Sequence, residues 1–406
     1  MKLDINPDRL LSDLRELATF GAYRTGVHRP TYSPQYMAAR AWIMGRMREA
    51  GLEPEMDGIG NILGRGPYAR KRLLVGSHSD SQNHAGWLDG AMGVVFALEI
   101  ARAAAESGNS DIAVEPVDWA DEEGHFGSFL GSRSAIGEVT EAEIDEARCA
   151  TTGTPLREAL MAAGLAGRDR FRIDPTRYVG YLEAHIEQGD YLEAHGLSLG
   201  IVTSIVGIWQ YRITFRGLRN HAGTTRMAIR KDAGAAAVEL LHRVHQRLPS
   251  LAGERTVWTV GNIRLEPGQA NIIPDLAEVM LQVRDADEAV LSRIDAALHE
   301  MGAEAEAKGP CEVQLNLESR SEPHEMSSIC QDALEAAARE LAPDRVVRMP
   351  SGAGHDAQIL ATVMPSGMLL VPSVGGISHH WDENTRDEDL VLGCQALAAA
   401  CARLLG

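Results

Sequence analysis

The spacing of apolar positions changes several times along the chain, and each change predicts an element. Leu10 to Ala18 and Tyr36 to Ala50 repeat at helical spacing, the second run closed by Gly51. Arg72 to Gly76 carries the short apolar run Leu73-Leu74-Val75, which predicts a buried strand leading straight into His78. Gly90 to Ala105 predicts a strong helix, and Ile112 to Trp119 a further strand ending at Asp121-Glu122-Glu123. Strands alternating with helices imply a largely parallel sheet with helices on its faces. In such sheets ligands bind beyond the carboxyl ends of the strands, which is where these polar clusters fall.

Between residues 208 and 318 the rhythm changes. Trp209 to Arg216 reads as a strand, Asp232 to Arg247 as a helix, and Thr256 to Leu265 and Leu276 to Arg284 as two strands. Glu288 to Ala307 reads as a helix and Cys311 to Leu317 as the last strand, a βαββαβ order that makes a compact α+β unit. The α/β pattern resumes at about 319 and ends with a helix from Leu390 to Leu405. The expectation is an α/β catalytic domain in two segments, 1–207 and 319–406, with an α+β domain inserted at 208–318. One pentapeptide recurs: Tyr181-Leu-Glu-Ala-His185 returns as Tyr191-Leu-Glu-Ala-His195. Ten residues is no solenoid period, so the echo reads as coincidence in a helical stretch, and local sequence does not separate His185 from His195.

Length and composition narrow the possibilities. A chain of 406 residues exceeds one ordinary core, and 45% hydrophobic with 24% charged residues is the balance of a globular protein. With 39 basic against 57 acidic residues the net charge is −18, which disfavours phosphate backbones and anionic lipid as partners. Aromatic residues at 5% offer little for stacking nucleic-acid bases. The start, Met1 to Asp8, lacks the apolar core of a signal peptide, and no stretch approaches a membrane span. Cys149, Cys311, Cys330, Cys394 and Cys401 are odd in number, widely spread and without a CxxC pair, as expected of reduced thiols in the cytoplasm.

Four polar clusters carry chemistry. His78 leaves a strand end in Gly76-Ser77-His78-Ser79-Asp80, and Asp89 precedes a glycine-rich helix start. The pair reads either as a metal ligand and a carboxylate able to bridge two cations, or as a loop histidine and an N-capping Asp. Asp118-Trp-Ala-Asp121-Glu122-Glu123-Gly124 is either a solvated acidic loop or a metal ligand beside a general base. His185 in His-Ile-Glu-Gln-Gly189 and His379 in Ser378-His379-His380-Trp381-Asp382-Glu383 complete a set that can supply a dinuclear N/O site. No cysteine lies near these clusters, so a thiolate-rich structural zinc is disfavoured.

Taken in order, these motifs resemble the hydantoinase/carbamoylase family of amidases. Further matching motifs are His221-Ala-Gly-Thr-Thr, Asn271-x-Ile-Pro, Ser351-Gly-Ala-Gly-His-Asp-Ala357 and Gly376-Ile-Ser-His379. That family includes N-carbamoyl-L-amino-acid hydrolases, β-ureidopropionases and allantoate amidohydrolases, within the dinuclear-zinc peptidase and aminoacylase superfamily. The resemblance spans residues 10 to 400 and implies two divalent ions per subunit, Zn, Mn, Co or Ni. It puts one on His78, Asp89 and His185 and the other on Asp89, Glu123 and His379, with Asp80 behind His78.

By the same resemblance Glu122 is the general base acting on a metal-bridging water, and His221 polarises the scissile carbonyl. Gln188, Asn271, Arg284 and the backbone of Gly352, Ala353 and Gly354 would hold a substrate carboxylate. Alternatively, Arg284 pairs with Asp285 or Asp287. The implied activity is hydrolysis of a linear C–N bond in a small carboxylate-bearing molecule, first an N-carbamoyl-L-amino acid or ureido acid. The alternative is an N-acyl-amino-acid hydrolase or dipeptidase on the same centre. The resemblance further implies a homodimer through the inserted domain, a lid, with His221 acting in cis or from the partner subunit. Four segments depart from the family's usual pattern: Gln82 to Leu88, Gly124-His125-Phe126, Arg226 after the His221 motif, and His380-Trp381.

Overall fold

The structure is a computed structural model and describes residues 2–67 and 69–406. The chain divides into two compact units, Met1–Thr203 with Glu325–Gly406, and Ser204–His324. The first unit is built on four parallel strands: β1 (Lys71–His78), β2 (Ile112–Trp119), β3 (Tyr181–Ile186) and β4 (Ser366–Val371). Their order across the sheet is β4-β3-β1-β2. Register aligns their carboxyl ends, with His78 opposite Trp119 and His185 opposite Leu370. Antiparallel strands extend the edges, Ile62–Arg65 and Glu53–Met56 beside β2, and Leu199–Ile205 beside β4.

These strands read as apolar runs because helices bury them; β2 and β3 are buried along their whole length. The helix Ala91–Glu106 is buried from Ala91 to Ala104, which explains its lack of a polar face. Helix starts follow local chemistry. Asn6 caps the helix Pro7–Leu17, and Ser33 caps Pro34–Glu49, each accepting a backbone N–H with proline in the first turn.

The repeated pentapeptide corrects one expectation. Tyr181-Leu-Glu-Ala-His185 is not helical but a central strand, and only the copy Tyr191–Ala194 forms a helical turn. Pairing to β4 and β1 fixes the first copy as strand. The second is helical because the Glu187 carboxylate accepts the N–H groups of Tyr191 and Leu192, both at 2.9 Å. Tertiary pairing therefore overrides a shared local preference.

The second unit is a four-stranded antiparallel sheet in the order Val257–Glu266, Leu276–Asp285, Gly207–Arg216, Glu312–Ser321. Leu276–Asp285 alternates buried and half-buried positions, and the helices Ala233–Arg247 and Glu288–Lys308 cover the apolar face. Its last strand runs four residues beyond the expected Leu317, to Ser321, because a register shift between Leu317 and Ser319 lets polar residues keep pairing. Among the described residues no helix is long and apolar enough to cross a membrane. All five cysteines are free thiols, and four of them are buried.

Gly45 lies in the interior of the helix Pro34–Glu49, and a Cβ there meets nothing within 4 Å. Gly45→Ala should therefore stabilise the protein by about 0.5–1 kcal/mol, read as a rise in the denaturant midpoint.

Candidate active site

Three of the four parallel strands deliver a candidate ligand at the same edge of the sheet. His78 is the last residue of β1, His185 the penultimate residue of β3, and Glu122 and Glu123 follow β2. His379 comes from the loop after β4. Asp89 enters on the segment before the helix Ala91–Glu106, where Gly90 adopts φ +63°. A Cβ on Gly90 would overlap the His78 ring, so glycine is required here on both conformational and steric grounds.

Asp89 is the centre of the arrangement. Its Oδ1 faces His185 Nε2 at 3.1 Å and His78 Nε2 at 3.8 Å, while Oδ2 faces His379 Nε2 at 3.3 Å. Glu123 Oε2 lies 3.7 Å from the same His379 nitrogen. Two groups result, His78–Asp89–His185 and Asp89–Glu123–His379, each with ligand atoms within 4.8 Å of one another. Neighbouring groups orient the imidazoles: His185 Nδ1 lies 2.9 Å from its acceptor, the Ile186 carbonyl, and His78 Nδ1 lies 3.2 Å from the Asp80 carbonyl. Both rings thus present Nε2 to Asp89. Glu122 Oε2 stands 3.5 Å from His78 Nε2 and belongs to neither group.

The run Asp121-Glu122-Glu123 separates into different roles. Asp121, at φ +58°, accepts the backbone N–H groups of His125, Phe126 and Gly127 and so shapes its own loop. Asp118 is buried 3.2 Å from Arg40 and accepts the Ser79 hydroxyl. Asp80 accepts from Thr31 and from the Glu123 N–H through Oδ2, while its buried Oδ1 faces His78 Nδ1 at 3.5 Å. Gln188 donates to Asp89 Oδ2 at 3.0 Å. Gln188 and His379 have φ of +58° and +54°, so the two residues on that oxygen sit in the sparsely populated left-handed region.

The electrostatics suit cations. Burial, then Glu123, Asp356 and Asp89, hold the Glu122 carboxyl well above the usual carboxylate range, and His78 opposes them. Burial, then Asp89, pushes Glu123 up to about 7. The hydrogen bond to Asp89 raises His379 to about 9. Burial lowers the pKa of His78, but Glu122, Asp80 and Asp89 together drive it well above the imidazole value. Nε2 atoms facing carboxylate oxygens across 3.1–3.8 Å need a shared proton or cation between them. The donors are imidazole nitrogens and carboxylate oxygens only, a set that fits divalent ions such as Zn, Mn, Co or Ni.

In the second unit, short strands Asn220–His221 and Ile272–Ile273 pair and bring His221 beside Asn271. The Ala222 N–H donates to the Asn271 carbonyl at 3.0 Å. His221 Nδ1 accepts from the N–H groups of Gly223 and Thr224, leaving Nε2 to carry the ring proton. Arg284 is part-buried and donates to Gln282 at 2.8 Å. In the first unit, Gly352 to Gly354 form a turn around the Ser351 hydroxyl, which accepts the Ala353 N–H at 3.3 Å and meets His355 Nε2 at 2.8 Å.

Two contributors carry no strong local signal. Gln82 grips Glu123 at its carboxylate and its carbonyl, and Glu383 accepts the backbone N–H groups of Leu88 and Asp89. Glu383 sits in the Ser378–Glu383 run, but its partners lie almost three hundred residues away. His195 is exposed, and its Nδ1 lies 2.7 Å from the Tyr191 carbonyl of its own helical turn.

Residues 74–403 match the model of the peptidase family M20/M25/M40. The N-carbamoyl-L-amino-acid amidohydrolase of Paenarthrobacter aurescens is 34% identical over 405 residues, covering 96% of each chain. The allantoate amidohydrolase of Escherichia coli (strain K12) is 32% identical, covering 94% of each. The crystal structure of an amidase of the hydantoinase/carbamoylase family from Burkholderia phymatum matches with a TM-score of 0.91 at 44% identity, covering 100% of this chain and 99% of that one. At this coverage and identity the chain belongs to peptidase family M20/M25/M40, among its hydantoinase/carbamoylase amidases.

Proposed function

We propose that this metal-dependent amidohydrolase acts on a small carboxylate-bearing substrate, first an N-carbamoyl-L-amino acid or a ureido acid. The observation that carries the reading is Asp89, whose two oxygens face two separate N/O groups while Glu122 stands beside them in neither. His78, Asp89 and His185 would hold one divalent ion, and Asp89, Glu123 and His379 the other. When bound, such cations act as Lewis acids on a carbonyl and acidify water.

The chain's own residues do the rest. Glu122 accepts the proton of the attacking water and passes it to the leaving nitrogen. His221 donates Nε2–H to the carbonyl oxygen, a contact of a kind worth about 2.7–4 kcal/mol. Arg284 and Asn271, with Gln188 and the Gly352–Gly354 backbone, hold the substrate carboxylate, for which the guanidinium fork is suited. Asp80 fixes the ring of His78. The inserted unit acts as lid and dimer interface, in a cytoplasmic homodimer whose His221 works in cis or from the partner subunit.

The test is a substrate panel of N-carbamoyl, N-formyl and N-acyl amino acids, allantoate and dipeptides, run with added Mn, Co, Ni or Zn. Preferred turnover of the carbamoyl or ureido compounds, with ammonia released, is expected; exclusive release of acetate or free amino acids from the others overturns the substrate assignment. EDTA should abolish turnover, and full activity in protein shown metal-free by elemental analysis would refute the mechanism. Glu122→Gln should keep the metals and lose about 10²–10⁴-fold in kcat. His185→Ala should lose metal while His195→Ala stays close to wild type; the reverse pattern would show that the wrong copy of the pentapeptide has been chosen. Arg284→Ala should lower kcat/KM for a carboxylate substrate far more than for its uncharged amide, and equal losses would remove Arg284 from carboxylate binding.

A further inference from the structure

Asp89 is held from two directions by one short turn, Ser378 to Glu383. His379 reaches its side chain, at 3.3 Å from Oδ2. Four residues later Glu383 reaches its backbone: one oxygen, Oε1, accepts the N–H of Asp89 at 3.1 Å and that of Leu88 at 3.3 Å. Its other oxygen accepts the Ser378 hydroxyl at 2.9 Å, and the Glu383 N–H closes the turn on the His380 carbonyl at 3.0 Å. Glu383 is 1% exposed, and its bonds to the Leu88 and Asp89 N–H groups are made away from water. The fit is close. A Cβ on Gly86 would overlap the Glu383 carboxylate, as a Cβ on Gly90 would overlap His78.

The segment Gly86-Trp87-Leu88-Asp89-Gly90 is therefore a strap bare of side chains at both ends, with a carboxylate seated behind it. Asp89 needs a fixed backbone, because its two oxygens must face two groups at once and a small rotation favours one at the expense of the other. Two buried N–H groups left without an acceptor are costly, so the strap without Glu383 has reason to move.

We propose that Glu383 is a positioning residue that sets the backbone of Asp89 and so couples the two candidate ion sites. This inference rests on the metal reading above. It requires an acceptor at Oε1 rather than a charge: in Glu383→Gln the amide oxygen keeps both N–H groups, and Ser378 can turn to accept from the new NH₂.

The experiment compares manganese-loaded wild type, Glu383→Ala, Glu383→Gln and Ser378→Ala. Metal affinity by chelator competition, amide hydrogen exchange over residues 86–90, and thermal stability are measured beside kcat and KM. Glu383→Ala should bind manganese about 10–100-fold more weakly and exchange the Leu88 and Asp89 amides faster. Glu383→Gln should restore both to near wild type. Ser378→Ala, the fallback if Glu383→Ala does not fold, should shift both in the same direction by less, and no shift in it would overturn the proposal. Wild-type affinity in folded Glu383→Ala would also overturn it, as would a folded Glu383→Gln as weak as the alanine variant. The metal reading fails separately, if wild type takes up no cation; the exchange of Leu88 and Asp89 still decides the brace, and exchange unchanged in Glu383→Ala removes it.

Discussion

Asp80, Asp89, Glu122 and Glu123 all lie around His78 at one edge of a sheet, largely out of water. Two like charges about 4 Å apart repel by about 4 kcal/mol at an effective dielectric of about 20, so such a group does not assemble unaided. The local structure answers that repulsion. Asp89 receives Gln188, Glu123 receives Gln82 from both its backbone and its side chain, and Asp80 receives Thr31 and the Glu123 N–H. Burial first, and then the neighbouring charges that those donors leave uncompensated, raise the pKa of the Glu122 and Glu123 carboxyls. A cation bound among these groups would remove that repulsion.

The parallel sheet makes this crowding geometrically possible. Parallel strands end at one edge, so residues distant in sequence arrive side by side without long excursions. His78 and His185 are carried by the strands themselves, which limits how far either can drift. Close approach then has to be permitted by glycine. Gly90 yields to His78, and a Cβ on Gly93 would press on the Ala184 carbonyl of the neighbouring strand β3. The positions without side chains are as much part of the site as those with ligands.

Legibility in the sequence followed the range of the interactions. His78 could be placed because the apolar run before it is local, and Glu122 and Glu123 because a buried strand ends just ahead of them. The hydantoinase/carbamoylase resemblance, read from ordered motifs, is confirmed by full-length similarity. The strand nature of Tyr181–Ile186 was not legible, because the same five residues form a helical turn ten positions later and only pairing with β1 and β4 decides between them. The different fates of Asp121 and Glu122 were hidden for a similar reason: side chains one apart carry the same charge, and only the left-handed turn at Asp121 directs its carboxylate into the loop. Gln82 and Glu383 act through contacts 41 and 294 residues away, which no local pattern encodes.

Two of the four departures from the family's usual pattern, Gln82 to Leu88 and His380-Trp381, meet in space. His84, from the altered segment before Asp89, packs against Tyr23 at a tilt with ring centroids 4.2 Å apart and stacks on His28 at 4.4 Å. Trp381, from the altered turn after His379, lies 5.9 Å from the same Tyr23, and Arg24 sits 4.2 Å above its ring. The backbone joins them as well, since Val27 and Ala85 exchange N–H···O bonds of 2.9 Å and the Thr25 hydroxyl donates to the Trp381 carbonyl at 2.6 Å. Residues 22–27 therefore link the loop that carries Asp89 to the turn that carries His379. A change in either loop has to be matched by the other through Tyr23 and Arg24, because aromatic and cation–π contacts depend on both partners. Two segments about three hundred residues apart in sequence thus form one packed unit on the loop that leads to Asp89 and the turn that carries His379, so a substitution in one is transmitted to the other.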